Sequence, residues 1–166
     1  MSVPPTPDDP PAESGSGSRP GLEAFAGTWP PNVHDVLGIT VVELGPDRTI
    51  VEVPVDWRVH QPFGLLHGGV SALLAESAAS MGAAAAAGPG RRVVGIELNC
   101  SHLRAVRDGT LRATATPVRK GRTVQVWEIR LTDELDREVC RARCTLAVSE
   151  APPEARPEST PESSGP

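Results

Sequence analysis

The sequence predicts an α+β domain in which one long helix covers a largely antiparallel sheet. Three observations predict it. The run HGGVSALLAESAASMGAAAAA has helical spacing and no proline before the Gly88-Pro89-Gly90 stop. Two short runs rich in β-branched residues precede it, and four more follow, separated by turn sequences. No internal repeat divides the chain, and 166 residues suit one domain.

The elements follow in order. Residues 1–20 hold six of the 18 prolines and residues 150–166 five more, with net charges of −2 and −3 that account for the whole −5. Such stretches cannot bury enough apolar surface to offset the entropy of ordering. Both are expected to be disordered tails, leaving a domain over 21–149. GLEAFAGTWPPNVHDVLG, residues 21–38, reads as irregular or a short helix, since its prolines block anything longer. Residues 39–45 and 49–56 form a hairpin around the Gly45-Pro46-Asp47-Arg48 turn. HQPFGLLHGG is then a loop, and a helix runs from Gly68 to Ala87. Its spacing puts Val70, Leu73, Leu74, Ser77 and Met81 on one buried face. Strands follow over 92–104, 109–119, 122–132 and 137–148, with a turn at Lys120-Gly121-Arg122. Alternation places Val94, Ile96, Leu98 and Cys100 on one face of the first. In the last it places Cys140, Ala142, Cys144, Leu146 and Val148 inward, with Arg141 and Arg143 outward.

Composition removes several functions. No basic run is interleaved with aromatics, tyrosine is absent, and residues 21–149 balance 14 basic against 14 acidic groups, so nucleic acid is not an expected partner. Residues 91–149 nonetheless carry twelve basic groups against seven acids, which suits a small anionic ligand. MSVPPTPDDP has neither the basic nor the apolar region of a secretory signal, and Glu76 in mid-segment argues against a membrane span. Three cysteines without a CxxC pair read as small core residues in a reducing cytoplasm. Four scattered histidines offer no metal-ligand spacing, and no dinucleotide, Walker or G-x-S-x-G pattern occurs.

The candidate chemistry lies on the helix. Between Arg58 and Arg91 the only Asp, Glu, Lys or Arg is Glu76. A solvated helix face normally carries several charges, so a single carboxylate is a candidate catalytic group. Ser80 lies one turn later on the same flank. At the helix start, Gly68 and Gly69 let a ligand approach backbone N–H groups, which suit an oxygen gaining negative charge. Gly68 and Glu76 are eight residues apart, about 12 Å along the axis, too far to share one carbonyl carbon. A two-fold dimer with antiparallel helices would bring Gly68 of one chain to Glu76 of the other. Gln61 supplies a polar donor and acceptor and His67 a titratable ring beside this start. His102 and Arg104 continue the inward parity of their strand and should emerge at a cleft edge. Arg122, after a turn glycine, can meet phosphate or nothing but water.

HQPFGLLHGGVSALLAESAAS, VVGIELNCSHLRAVRDGTL and GRTVQVWEIRLTDE together resemble the hotdog-fold acyl-CoA thioesterases of the PaaI type. The resemblance covers about residues 32–148. It is strongest to the branch acting on 1,4-dihydroxy-2-naphthoyl-CoA and on aryl thioesters in enterobactin synthesis. It implies a curved antiparallel sheet wrapped round the helix, in dimers or dimers of dimers. It implies Glu76 as nucleophile or general base and the Gly68 N–H as the donor to the thioester carbonyl. Gln61 and His67 would position thioester and water, and the Ser80 hydroxyl would hold water or carboxylate. Phe63 would wall the acyl pocket, while His102, Arg104 and Arg122 would meet the CoA nucleotide and phosphates. An aromatic acyl-CoA is thus the expected substrate, with no metal or redox cofactor. The alternatives are a broad medium- or long-chain acyl-CoA or acyl-ACP thioesterase, and a non-catalytic acyl-CoA-sensing module. The alanine-rich helix end at 83–87 departs from the family pattern and bears on the choice of acyl group.

Overall fold

The computed structural model describes residues 31–151; residues 1–30 and 152–166, which hold nearly all of the expected tails, lie outside the described residues. Helix α1, Val33–Leu37, is short because it is capped at both ends. The Asn32 side chain accepts the His34 N–H, Asp35 accepts the Asn32 N–H, and Gly38 closes the helix at φ 71°. Strands β1 (Thr40–Glu43) and β2 (Thr49–Pro54) make the expected hairpin. The stretch read as a loop holds more order than that. A 3-10 turn at Trp57–Val59 leads into β3 (His60–Gln61) and β4 (Leu65–Leu66), a two-stranded ribbon too short to show in the residue pattern.

Helix α2 runs over Gly68–Ala87, as its sequence predicts, and spans about 30 Å. Four strands follow: β5 (Arg91–His102), β6 (Thr110–Lys120), β7 (Val124–Thr132) and β8 (Glu138–Glu150). Strand β8 therefore reaches one residue into the expected C-terminal tail. The six long strands form one curved sheet in the order β1-β2-β6-β7-β8-β5, and every neighbouring pair is antiparallel. Helix α2 is long and apolar enough to cross a membrane, but it packs on β2, β5, β6, β7 and β8. It is the core helix of the sheet.

The face that α2 buries differs from the expectation. Ser71, Leu74, Ala75, Ala78, Ala79, Gly82 and Ala83 face the sheet, while Val70, Leu73, Ser77 and Met81 are only half-buried. The reason is clearance. The sheet curves so closely on the helix that a Cβ on Gly82 would stand 2.7 Å from the Trp127 ring and 3.0 Å from the Thr49 hydroxyl. Only the smallest side chains fit there, so the larger ones turn to the flank. A buried polar chain fixes this approach: the Trp127 Nε1–H donates to Gln125 Oε1 at 2.9 Å, and Gln125 Nε2 donates to the Ala83 carbonyl at 3.2 Å.

Strand β5 also corrects the expected parity. A bulge between Gly95 and Glu97 inserts Ile96. Beyond it Leu98 and Cys100 pack inward as expected, but before it Val93 takes the inward place, leaving Val94 42% and Ile96 59% exposed. On β8 the expected alternation holds throughout, with Cys140 to Val148 buried at every second position and Arg141 and Arg143 exposed.

Candidate active site

The start of α2 is built from the β3–β4 ribbon and the end of β5. His67 stands at the N-cap, where its Nδ1 accepts the Gly69 N–H at 2.8 Å. The sequence shows no Ser, Thr, Asp or Asn in this place; an imidazole does their work. With Nδ1 accepting, a neutral ring carries its proton on Nε2. Gly68 keeps its N–H without an acceptor among the described residues. His102 lies directly over it, so that a Cβ on Gly68 would stand 2.9 Å from the His102 Nε2. Gln61, Gly68, His102 and Arg104 line one cleft of about 420 Å³. The Gln61 side-chain oxygen accepts the Phe63 N–H, which sets the amide's orientation. Four of the expected residues thus converge, at the positive end of the helix dipole.

Glu76 and Ser80 belong to a second, more apolar groove of about 550 Å³ on the flank of α2, walled by Leu73, Met81 and Leu98. Three of the half-buried residues that the helical spacing assigned to the core, Leu73, Ser77 and Met81, line this groove, while Val70 packs against the core. Glu76 is exposed, with its carboxylate against Gly95 of β5. Below it, burial pushes the Cys144 thiol up to about 12, and the Glu76 and Glu97 carboxylates add to that. Burial likewise pushes Cys140 up to about 12, so both thiols stay protonated and neither is a nucleophile at neutral pH.

Two expected residues stand apart. Phe63 is 83% exposed and walls neither cavity within one chain. Arg122 lies at the opposite end of α2, beside Arg91 and Lys120, and its carbonyl accepts from the Arg91 guanidinium. Sequence reading missed two others. His34, from α1, reaches the groove and its Nε2 lies 2.9 Å from the Ser77 hydroxyl. Burial lowers its pKa, with Asp35 opposing, so the ring is held toward its neutral form. Gly95 touches Glu76 from the facing strand. Neither contact has a local signal, since each joins residues far apart in the chain.

One chain therefore holds an N–H without an acceptor among the described residues, that of Gly68, at the start of α2 and a carboxylate two turns on. A donor for a developing oxyanion and a carboxylate in an apolar setting are the parts that acyl transfer to water requires.

The thioesterase superfamily model matches residues 63–140. The chain is 45% identical over 116 residues to the 1,4-dihydroxy-2-naphthoyl-CoA hydrolase of Listeria monocytogenes, covering 70% of this chain and 94% of that one. It is 44% identical over 127 residues to the proofreading thioesterase EntH of Cronobacter sakazakii, covering 76% and 93%. Among solved structures, a thioesterase from Haemophilus influenzae matches with a TM-score of 0.68 at 43% identity, covering 70% of this chain and 82% of that one. A curved antiparallel sheet on one long helix, together with these relatives, places the chain in the thioesterase superfamily as a hotdog-fold thioester hydrolase.

Proposed function

We propose that this enzyme hydrolyses an aromatic acyl-CoA, of the 1,4-dihydroxy-2-naphthoyl type, to the free acid and CoA. The observation that carries the reading is Glu76, a lone carboxylate in an apolar groove on the helix whose first N–H, that of Gly68, has no acceptor among the described residues. The names of the relatives support an aromatic acyl group.

The site is composite. Two copies with antiparallel α2 helices put Gly68 of one chain opposite Glu76 of the other, which removes the axial separation of about 12 Å. The apolar flank supports such a partner. Strand β5 is a sheet edge, and Val94 and Ile96 are exposed on it. In this dimer the Gly68 N–H polarises the thioester carbonyl, while Gln61 and the His67 Nε2–H orient thioester and water. Glu76 acts from across the interface, with Ser80 holding its carboxylate or the water. As general base it takes a proton from water, whose oxygen attacks the carbonyl carbon. As nucleophile it forms a mixed anhydride that water then opens. Either route breaks the C–S bond and returns a proton to the sulfur. His102 and Arg104 meet the CoA end. Phe63 and Arg122 enter only across the interface, the first against the acyl group and the second on phosphate. No metal or redox cofactor takes part. The three free thiols suit a reducing cytoplasm.

Thiol release from a panel of aryl, short-chain and long-chain acyl-CoAs tests the substrate class. The expected result is the highest kcat/KM on an aryl substrate. Preference for long chains would replace this reading with the broad thioesterase. Turnover only of carrier-protein thioesters would assign an acyl-ACP substrate, and binding without turnover would make the protein an acyl-CoA sensor.

A further inference from the structure

The inward row of β5 reads Val93, Gly95, Leu98 and Cys100, with partners on β8 that face the helix: Val93 pairs with Val148, Gly95 with Leu146 and Leu98 with Cys144. Every member has a side chain except Gly95. That vacant place is filled by Glu76. A Cβ built on Gly95 would collide with Glu76 Oε1 and stand 3.2 Å from Cδ and 3.7 Å from Cγ.

The backbone does not explain this glycine. Gly38, Gly64, Gly88, Gly90 and Gly109 have positive φ angles, and Gly95 does not. Its φ lies outside the left-handed region that favours glycine, and a glycine inside a strand costs stability relative to one with a side chain. Space for the carboxylate is what the missing Cβ provides. The bulge completes the arrangement. By inserting Ile96 it turns Glu97 to the outer face, where Thr145 Oγ1 donates to its carboxylate at 3.1 Å, and it brings Leu98 inward as a groove wall. A second carboxylate is thereby directed to the other face of the sheet, two residues from Gly95.

We propose that Gly95 is a positioning residue for the hydrolysis, whose lack of a side chain seats the Glu76 carboxylate against β5. The proposal rests on Glu76 being the catalytic carboxylate. A methyl at 95 meets the far end of a flexible side chain, so the fold yields by moving the carboxylate and not the backbone. A misplacement of about 1 Å in a reacting group can cost on the order of a hundredfold in rate.

The test is steady-state thiol release by Gly95→Ala, with Glu76→Gln and Glu76→Asp alongside. The expected result is a kcat lowered about tenfold or more, a KM within about twofold and an unchanged or raised Tm. In the Glu76→Asp background, where the shorter side chain no longer reaches position 95, adding Gly95→Ala should cost less than about threefold. A Gly95→Ala kcat above about a tenth of wild type, with Glu76→Gln inactive, would overturn the proposal. So would an equal loss in both backgrounds. Retained turnover in Glu76→Gln would instead defeat the role of Glu76 on which it rests.

Discussion

Gly82 lies under the ring of Trp127 with no room for a methyl group between them: an added Cβ would approach two ring carbons to 2.7 Å. This contact sets how closely α2 sits on the sheet, and so how far Glu76 stands from β5. Trp127 is fully buried and held by its bond to Gln125, so it cannot step aside.

Gly82→Ala should therefore destabilise the protein, although alanine is the better helix former by about 1 kcal/mol. Forcing a methyl into a packed core costs about 1–3 kcal/mol, and a fully buried ring held by its bond to Gln125 puts this case at the upper end. Denaturant unfolding should show a lower midpoint. A raised midpoint would mean that the helix rides further from the sheet than this contact requires.

The bond between His34 and Ser77 predicts a pH dependence. Burial holds the folded pKa of His34 below its ordinary 6.5, with Asp35 opposing. Between those two values the unfolded chain binds more protons. The contribution to stability is therefore complete above about pH 6.5 and is lost as pH falls through the folded pKa. His34→Gln keeps an amide within reach of Ser77 and does not titrate. Its Tm should fall less than that of wild type between about pH 7.5 and about pH 5. Parallel curves would show that His34 does not link the fold to pH.

His67 has two separable roles. As N-cap it contributes about 1 kcal/mol, so His67→Ala should lower Tm by a few degrees. His67→Asn should restore the cap, since asparagine is among the best N-cap residues. It lacks the Nε2–H proposed to position thioester and water, so turnover should stay low in both variants. Full activity in His67→Asn would reduce the ring to a cap.

The proposed sharing of the site between two chains predicts complementation. Glu76→Ala and His67→Ala chains, each nearly inactive alone, form a mixed dimer with one intact site. With free exchange, half the dimers are mixed and half their sites intact, so about a quarter of wild-type activity should return. No recovery after proven exchange would place both residues in one chain's site.

Much of this was legible from residues alone, for identifiable reasons. The limits of α2 follow from two glycines at one end and Gly88-Pro89-Gly90 at the other. Glu76 stands out because no other charge lies between Arg58 and Arg91. Of the buried face of α2 only Leu74 was legible, because hydrophobic spacing ranks Leu and Met above Ala, whereas a closely curved sheet selects the smallest side chains. The inserted Ile96 shifts the parity of β5 without changing its composition. His34 and Gly95 acquire meaning only from Ser77 and Glu76, which the fold brings to them. Arg122, read as a phosphate contact, lies at the end of α2 remote from His102 and Arg104 within one chain.

If Glu76 performs the chemical step, Glu76→Gln should lose turnover. The amide keeps the shape of the side chain but can neither take a proton from water nor attack a carbonyl carbon. The expected kcat on an aryl acyl-CoA is below about a tenth of wild type, with affinity for a non-hydrolysable analogue retained. A kcat above that level would contradict that role of Glu76.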